Sequence, residues 1–378
     1  METRNLEWLQ CLRGVAAILV VFTHARYFLL GTPSEGPAEA VFFPGAMGVD
    51  LFFLISGFIM AYTTRDADGT LKYTIKFLIK RGSRILPVYL VVAITGLLLV
   101  KNGEYLSAPI HLKEILLSFI FIPINSNNPP FFDMPWSVGW TLNFEMYFYL
   151  VFGLCLMAGK HRWTVAMLWL VASLIILPLI TTGYVSTSAM NNYGFESRYL
   201  NLITNPMLWT FPAGVIAGVA FSTKLRLPRG HVDYSITLIA VAFAIWCAYS
   251  GLYKFHGMDQ WGGPLALAFI LLSISGSVDA IKAPPVLLWL GKISFSLYLC
   301  HPIAQQVLSK LITALGRPDL THTWSHVFLT TSVALLLATI SHHYLESRLS
   351  GHIRARLLYW ADQHEYKIKD SKEELKNS

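Results

Sequence analysis

The feature that most constrains this chain is a series of apolar segments, which recur along nearly its whole length. About 20 helical residues at 1.5 Å each cross a hydrocarbon layer of about 30 Å. Hydrophobic residues make up 54% of the 378 residues and charged residues only 13%, against about 25% charged residues in soluble domains. This is too little polar surface to cover a soluble core. We therefore expect an all-α polytopic membrane protein and exclude soluble, disordered and disulfide-scaffold classes.

Ten segments are mostly apolar and end at charged residues or at Gly and Pro clusters. They are residues 7–30, 46–64, 85–101, 140–159, 163–182, 200–222, 234–252, 262–280, 293–315 and 324–346. Residues 113–124 are too short to cross, so we expect an interfacial or re-entrant helix there. The domain prediction is a transmembrane domain over residues 1–350 and a charged cytoplasmic tail over residues 351–378.

Basic residues predict the orientation. They cluster after the second, fourth, sixth, eighth and tenth segments, at Arg65, Lys72, Lys76, Lys80, Arg81 and Arg84, at Lys160 and Arg162, at Lys224, Arg226 and Arg229, at Lys282 and Lys292, and at Arg348, Arg354 and Arg356. Ten crossings place all these clusters on one side, which the positive-inside rule makes the cytoplasm, with both termini. The net charge of +7 therefore reports topology, and we expect no nucleic-acid partner.

Cysteine spacing argues against a disulfide framework or a metal site. Cys11, Cys155, Cys247 and Cys300 each lie inside an apolar segment, and no Cys-x-x-Cys pair occurs. We expect no bound metal and no resident cofactor. The sequence also lacks the internal repeat that inverted-repeat transporters carry.

The first two segments contain ionisable residues, which are costly in a membrane and usually mark a pathway or a site. Arg13 and His24 are eleven residues apart, which places them on one helix face about 16 Å apart. Asp50 opens the second segment at about the depth of His24. A carboxylate beside an imidazole fixes its tautomer and raises its basicity, so the pair is a candidate general base. The alternatives are a snorkelling arginine, a satisfied histidine and an N-terminal cap.

Other polar residues extend this predicted site. The fourth segment carries Glu145, flanked by Asn143 and Tyr149 and preceded by Trp140. Glu145 is predicted to lie in the outer half as well. The ninth segment carries a polar stripe at Ser294, Tyr298, His301 and Gln305, and the tenth ends at Glu346.

Arg81 and Arg84 precede the third segment and are about one helical turn apart. This spacing can present two guanidinium groups to phosphates. The alternative is that they only determine topology, which we prefer for Lys72 and Lys76.

Six motifs in order between residue 6 and about residue 350 resemble the acyltransferase-3 family of membrane acyltransferases. They are Leu12-Arg13-Gly14 with His24, Gly48-Val49-Asp50 through Ser56-Gly57-Phe58, Arg81-Gly82-Ser83-Arg84, Gly139-Trp140-Thr141-Leu142-Asn143-Phe144-Glu145-Met146, Ile293-Ser294 through Tyr298 and His301-Pro302, and Tyr344-Leu345-Glu346. The fourth motif is most similar to the branch that modifies bacterial exopolysaccharides. Leu208-Trp209-Thr210 stands where that branch tends to show a glutamate.

The resemblance implies an O-acyltransferase, specifically an O-acetyltransferase, of the bacterial inner membrane. Such a protein moves an acyl group from cytoplasmic acyl-CoA, a co-substrate, to a hydroxyl of a polysaccharide or lipid-linked saccharide. It implies catalytic roles for His24, Asp50 and Glu145, and acyl-CoA binding by Arg13, Arg81 and Arg84. The substrate-binding residues would be Ser56, Trp140, Asn143, Tyr149, Tyr298, His301 and Glu346. Direct transfer and an acyl-histidine intermediate both stay open.

Two other functions compete. A transporter or flippase for a glycolipid or small anion could use the same buried charges along a translocation path. If the protein were a structural scaffold of a polysaccharide-export complex, substitution of His24 would have no effect on its function. Thioester cleavage separates the acyltransferase from both alternatives.

Overall fold

A computed structural model describes residues 6–101, 103–223, 227–278 and 282–377. All regular secondary structure in these residues is helical, which confirms the predicted all-α fold. The first eight α-helices are α1 Glu7–Ala25, α2 Glu35–Phe42, α3 Gly48–Thr63, α4 Leu71–Val100, α5 Gly103–Ser107, α6 Pro109–Phe119, α7 Trp140–Leu156 and α8 Arg162–Val171. The next eight are α9 Leu177–Thr182, α10 Arg198–Ile203, α11 Thr210–Ser222, α12 His231–Tyr249, α13 Gly262–Ile274, α14 Pro285–Ala314, α15 Trp324–Ser341 and α16 Ser350–Asn377.

Eight helical segments in the described residues are long and apolar enough to cross a membrane. They are Glu7–Leu29, Glu35–Thr63, Leu71–Val100, Gly159–Thr182, Arg198–Ser222, His231–Tyr249, Pro285–Ala314 and Trp324–Gln363. Their outward faces carry exposed apolar side chains such as Leu168, Ile180 and Leu238, which are 63%, 77% and 71% exposed. Apolar side chains on this scale are stable only against lipid. The protein is an integral membrane protein.

The two other predicted crossings form shorter helices. The helix α7 has 17 residues and α13 has 13, against about 20 for a complete crossing. The count of ten crossings and the cytoplasmic placement of the termini therefore stay predictions. The helix α6, at 11 residues, has the short length expected for the non-crossing stretch. Lys224 and Arg226 of the basic clusters lie outside the described residues.

The third predicted segment begins much earlier than hydropathy indicates. Residue 85 was the expected start, but α4 begins at Leu71 and continues for 30 residues. The Thr70 side chain accepts a hydrogen bond from the Tyr73 amide and caps the helix. Lysine and arginine are good helix formers, so the basic stretch continues the helix. Arg81 and Arg84 therefore project from a rigid helix and not from a loop.

Two glycine contacts bring the central helices together. A Cβ atom at Gly14 of α1 would lie 2.8 Å from the amide nitrogen of Gly291 in α14. A Cβ atom at Gly57 of α3 would lie 2.1 Å from a carbonyl oxygen of α11, and one at Gly214 would lie 2.0 Å from a carbonyl oxygen of α3. Small residues permit this close helix packing in membranes. The missing side chain of Gly57 thus permits the close contact between α3 and α11.

Candidate active site

Three arginines from two helices line one cavity. Arg13 projects from α1, and Arg81 and Arg84 project from α4, each from a rigid helix of the bundle. The other polar lining residues are Glu145, Tyr149 and Thr141 of α7, Ser56 of α3 and Tyr298 of α14. The cavity has a volume of about 80 Å³. We call it the arginine cavity.

Hydroxyl groups bind the carboxylate of this cavity. The Tyr149 hydroxyl donates a hydrogen bond to Glu145. The Ser56 hydroxyl lies 3.3 Å from the same Glu145 oxygen and 3.1 Å from the Tyr149 hydroxyl. The Arg81 guanidinium lies over the Tyr149 ring, 5.5 Å from its centroid, and donates to the Thr63 hydroxyl at 3.0 Å. Glu145 is therefore held without a direct contact to an arginine.

The arginines of this cavity retain binding capacity for an anion. Within the part of the chain that the structure describes, Arg13, Arg81 and Arg84 form no salt bridge. Glu145 and Glu346 lie within electrostatic reach of Arg13 but make no ion-pair contact with it. Three guanidinium groups thus face two carboxylates. An anion with several oxygens could bind there through charge-assisted hydrogen bonds.

His24 lines a second cavity, with a volume of about 410 Å³. This cavity is built from the last turns of α1 and from the segments that flank α5 and α7. Its other lining residues are Lys101, Tyr105, Phe131, Asp133, Met134, Pro135, Ser137, Val138 and Trp140. We call it the histidine cavity. Aromatic rings, a lysine and a carboxylate give it a mixed character that differs from the arginine cavity.

The tautomer of His24 is set by its own helix. Its Nδ1 atom lies 2.9 Å from the Val20 carbonyl oxygen. A carbonyl only accepts, so Nδ1 carries the hydrogen and Nε2 carries the lone pair of the neutral ring. His301 repeats this arrangement with the Leu297 carbonyl at 3.3 Å, and the two rings lie 4.9 Å apart. Nε2 of His24 can therefore accept a proton or attack a carbonyl carbon.

A thin layer separates the two cavities. The Tyr298 hydroxyl lies 3.0 Å from the Thr141 hydroxyl and 3.1 Å from the Val138 carbonyl oxygen. Tyr298 and Thr141 line the arginine cavity, whereas Val138 lines the histidine cavity. The Tyr298 hydroxyl thus connects a wall residue of one cavity with a wall residue of the other.

The predicted pairing of Asp50 with His24 is wrong. Asp50 is fully buried, and its two oxygens accept from His256 Nδ1 at 2.7 Å and from the Gly257 amide at 2.9 Å. The reason is the rotation of α3. A Cβ atom at Gly48 would meet the Ala16 carbonyl of α1 at 2.5 Å, so Gly48 faces α1. Two residues later the helix has turned about 200°, and Asp50 points away from His24.

His256 is the residue that sequence reasoning missed. It lies in the segment between α12 and α13, and its pairing with Asp50 spans 206 residues. A single histidine in a loop gives no signal of its own in one sequence. The signal in the sequence was Asp50 itself, because a carboxylate at the start of an apolar helix needs a hydrogen-bond or charge partner.

Glu145 lines the arginine cavity and not the histidine cavity. Its predicted place in the outer half of the membrane stays a prediction. The helix α7 begins at Trp140, which lines the histidine cavity. Five residues further along a helix is about 7.5 Å deeper. The helix α7 therefore reaches both cavities with different residues.

The predicted substrate-binding residues divide among three places. Ser56, Tyr149 and Tyr298 line the arginine cavity, and Trp140 lines the histidine cavity. Asn143 and His301 are fully buried and line neither cavity. The Asn143 amide donates to the Met134 sulfur at 3.2 Å, so it lies behind the wall.

Glu346, also predicted to bind substrate, lies outside the arginine-cavity lining. It is 3.1 Å from His342 Nδ1 and accepts from the Ser296 hydroxyl at 3.1 Å. Arg84 and Arg13 are within its electrostatic reach. It is placed to balance the arginines and not to contact a ligand in that cavity.

An integral membrane bundle with an arginine-lined cavity and a separate histidine-lined cavity suits a membrane enzyme. The family model described as an acyltransferase domain matches residues 6–343. The chain belongs to this acyltransferase family, which confirms the resemblance carried by the six motifs, and the protein is a membrane acyltransferase.

Curated relatives show the same kinship. "Exopolysaccharide production protein ExoZ" of Rhizobium meliloti (strain 1021) is 32% identical over 288 residues, 72% of this chain and 80% of the relative. "Nodulation protein 10" of Rhizobium leguminosarum bv. viciae is 24% identical over 330 residues, 79% of this chain and 82% of the relative. A Staphylococcus aureus (strain COL) protein named "Putative O-acetyltransferase" is 28% identical over 338 residues, 79% of this chain but 50% of the relative. No solved structure matches the chain significantly.

Proposed function

We propose that the protein is an acetyl-CoA-dependent O-acetyltransferase of the bacterial inner membrane. Acyl-CoA enters the arginine cavity from the cytoplasm, and a hydroxyl of a surface polysaccharide or its lipid-linked precursor enters the histidine cavity from the other side. The observation that carries the proposal is the pair of cavities, both lined by residues of α7 and linked by the hydrogen bonds of Tyr298.

The arginine cavity suits the donor. Acyl-CoA carries a pyrophosphate and a further phosphate, and arginines bind phosphate oxygens in pairs. Arg81 and Arg84 lie on one face of α4, and Arg13 faces them from α1. The long pantetheine arm would extend past Ser56 and Glu145 toward Tyr298. The Tyr149–Glu145 hydrogen bond would lie beside the arm and supply or take up a proton on the donor side.

The histidine cavity suits a saccharide. Sugar rings present apolar faces that stack on aromatic rings, and hydroxyl groups that bind charged side chains. Trp140, Tyr105 and Phe131 supply rings, and Lys101 and Asp133 supply charges. The printed name of the Rhizobium meliloti relative, which refers to exopolysaccharide production, supports a polysaccharide acceptor here.

His24 would perform the chemistry. Its Nε2 lone pair lies at the histidine cavity because Val20 holds the hydrogen on Nδ1. That atom can take the proton of a sugar hydroxyl during direct transfer, or accept the acyl group first.

The test is reconstitution in nanodiscs with acetyl-CoA and deacetylated exopolysaccharide prepared from cells that carry the gene. We expect release of CoA thiol and formation of acetyl ester in equal amounts. Saccharide or anion movement across proteoliposomes without thioester cleavage would instead establish the transporter alternative.

The sidedness of the donor cavity has its own test. With Cys11 replaced by alanine, a cysteine at Asp66 between α3 and α4 should react with an impermeant reagent only after permeabilisation. A cysteine at Asn127 should react in intact cells. Both positions are exposed. Labelling of the Asp66→Cys variant in intact cells would reverse the proposed orientation.

A further inference from the structure

The Asp50–His256 pair has the geometry of a base and its orienting carboxylate. Asp50 is 0% exposed, and both its oxygens accept hydrogen bonds, from Nδ1 of His256 and from the Gly257 amide. Nδ1 therefore carries a hydrogen, and Nε2 carries the lone pair of the neutral ring. Nε2 has no hydrogen-bond partner among the described residues, and the side chain keeps 10% exposure.

The position of this pair connects it to the histidine cavity. The His256 ring lies 5.4 Å from the Trp140 ring and 6.2 Å from the Phe131 ring. Trp140 and Phe131 line the cavity that His24 lines. His24 and His256 also lie within electrostatic reach of each other. The His256 ring thus packs against two aromatic rings that line the histidine cavity, within electrostatic reach of His24.

We propose that His256, held by Asp50, is the base that takes the proton of the acceptor hydroxyl, while His24 carries the acyl group. This inference rests on the proposed function and chooses between its two chemical routes. Two histidines at one cavity allow one ring to be acylated while the other remains free to accept a proton.

The two steps balance as follows. In the first, Nε2 of His24 forms a bond to the thioester carbonyl carbon, and the carbon–sulfur bond breaks to release the thiolate toward the arginine cavity. In the second, the acceptor hydroxyl oxygen forms a bond to the acyl carbon while its proton goes to Nε2 of His256. The bond from the acyl carbon to His24 breaks, which returns neutral His24.

The buried carboxylate explains why His256 suits this role. An unpaired charge in an apolar interior is costly, and the Asp50 carboxylate lies 2.7 Å from Nδ1 of His256, where it can pair with an imidazolium. The imidazolium produced in the second step is paired with Asp50 from the moment it forms. His301, the other histidine near His24, has only a carbonyl at Nδ1 and lacks this stabilisation.

The test is His256→Asn, because the asparagine amide nitrogen takes the place of Nδ1 and can keep the bond to Asp50 without a basic atom at Nε2. We expect a stoichiometric burst of CoA from acetyl-CoA as in the parent, and accumulation of acetyl-His24 in acid-quenched peptides. Transfer to deacetylated exopolysaccharide should fall about 10²- to 10⁴-fold, the range of general-base contributions, with KM for the saccharide within about threefold.

Asp50→Asn provides a second variant, which keeps the shape but removes the charge. It should retain the burst and lose transfer to a smaller extent than His256→Asn. His326→Gln is the matched control, since His326 is a buried histidine outside both cavities that bonds Ser309 through Nε2, and it should transfer like the parent.

Parental transfer by His256→Asn would reduce the pair to a structural contact and overturn the inference. Loss of the burst together with transfer would also overturn it, because the defect would then not be confined to the acceptor step. A parent that neither cleaves acetyl-CoA nor acetylates saccharide would instead contradict the proposed function itself.

Discussion

The arginine cavity and the histidine cavity are built differently. The first is lined by residues of long helices, α1, α3, α4, α7 and α14, and its charges project from fixed positions. The second draws much of its lining from residues 131–138, which connect α6 to α7. A ligand of constant chemistry suits a rigid helical site, whereas loops can be altered without disturbing the bundle. This contrast supports the proposal that the donor binds in the first cavity and that the second selects the acceptor.

His24→Gln should have the largest effect and would show that the two cavities perform separable tasks. Glutamine keeps polarity and similar size but cannot accept a proton at neutral pH, so acetyl transfer should fall at least about 10³-fold. Acetyl-CoA affinity, measured by calorimetry, should stay within about twofold because Arg13, Arg81 and Arg84 are intact.

Parental acetylation by the His24→Gln variant would remove His24 from the mechanism. Survival of transfer in His24→Gln, together with its loss in Glu145→Gln, would move the essential group to the arginine cavity. The assignment of catalysis to the histidine cavity and of donor binding alone to the arginine cavity would then be wrong.

Arg81→Ala and Arg84→Ala test the other cavity. Each removes a charge-assisted phosphate contact of about 1.5–3 kcal/mol, so the Kd for acetyl-CoA should rise by about one to two orders of magnitude. Arginine-to-lysine variants should recover only part of this loss, because an ammonium group cannot bind two oxygens side by side.

Arg317→Ala is a suitable control for this pair, since the exposed Arg317 side chain bonds Asp319 in the connection between α14 and α15 and lines neither cavity. Unchanged acetyl-CoA binding by both Arg81→Ala and Arg84→Ala would leave these arginines as topology determinants alone.

Tyr298→Phe tests the layer between the cavities. The substitution removes the hydroxyl that bonds Thr141 and the Val138 carbonyl, at a cost of about 0.5–1.5 kcal/mol per bond. A looser layer should admit water to the thioester, so CoA release without acceptor should rise about two- to tenfold. Hydrolysis at the parental rate would show that the Tyr298 hydrogen bonds do not limit the access of water to the thioester.

These sites differ in how far the sequence predicts them. Arg13, Arg81 and Arg84 are recognisable because helix spacing places them on shared faces, and helices are local structures. The Asp50–His256 pair depends on the rotation of α3 against α1, which the contact of Gly48 with Ala16 determines. No pattern of neighbouring residues in the sequence predicts that contact. The cavity that Glu145 lines is hidden from the sequence for a related reason, because hydropathy does not show where α7 begins relative to its neighbours.

The smallest effect is expected for Lys76→Ala, and it sharpens the comparison within one helix. Lys76 precedes Arg81 on α4 by five residues, so a general attraction between a basic helix and acetyl-CoA would involve both. The Lys76 ammonium is already 2.6 Å from the Asp362 carboxylate of α16, whereas Arg81 forms no salt bridge in the described residues. An exposed ion pair contributes only about 0–1 kcal/mol, so stability should change little and the Kd for acetyl-CoA should stay within about twofold.

Titration of acetyl-CoA into Lys76→Ala and Arg81→Ala at two salt concentrations distinguishes the two explanations. Screening weakens attraction between exposed charges far more than contacts in a partly enclosed cavity. If the cavity binds the donor, the lysine variant follows the parent at both salt concentrations, while the arginine variant is weaker at both. Equal losses in the two variants that vanish at high salt would mean that the basic face of α4 attracts any anion. The arginine cavity would then not be a specific binding site for acetyl-CoA.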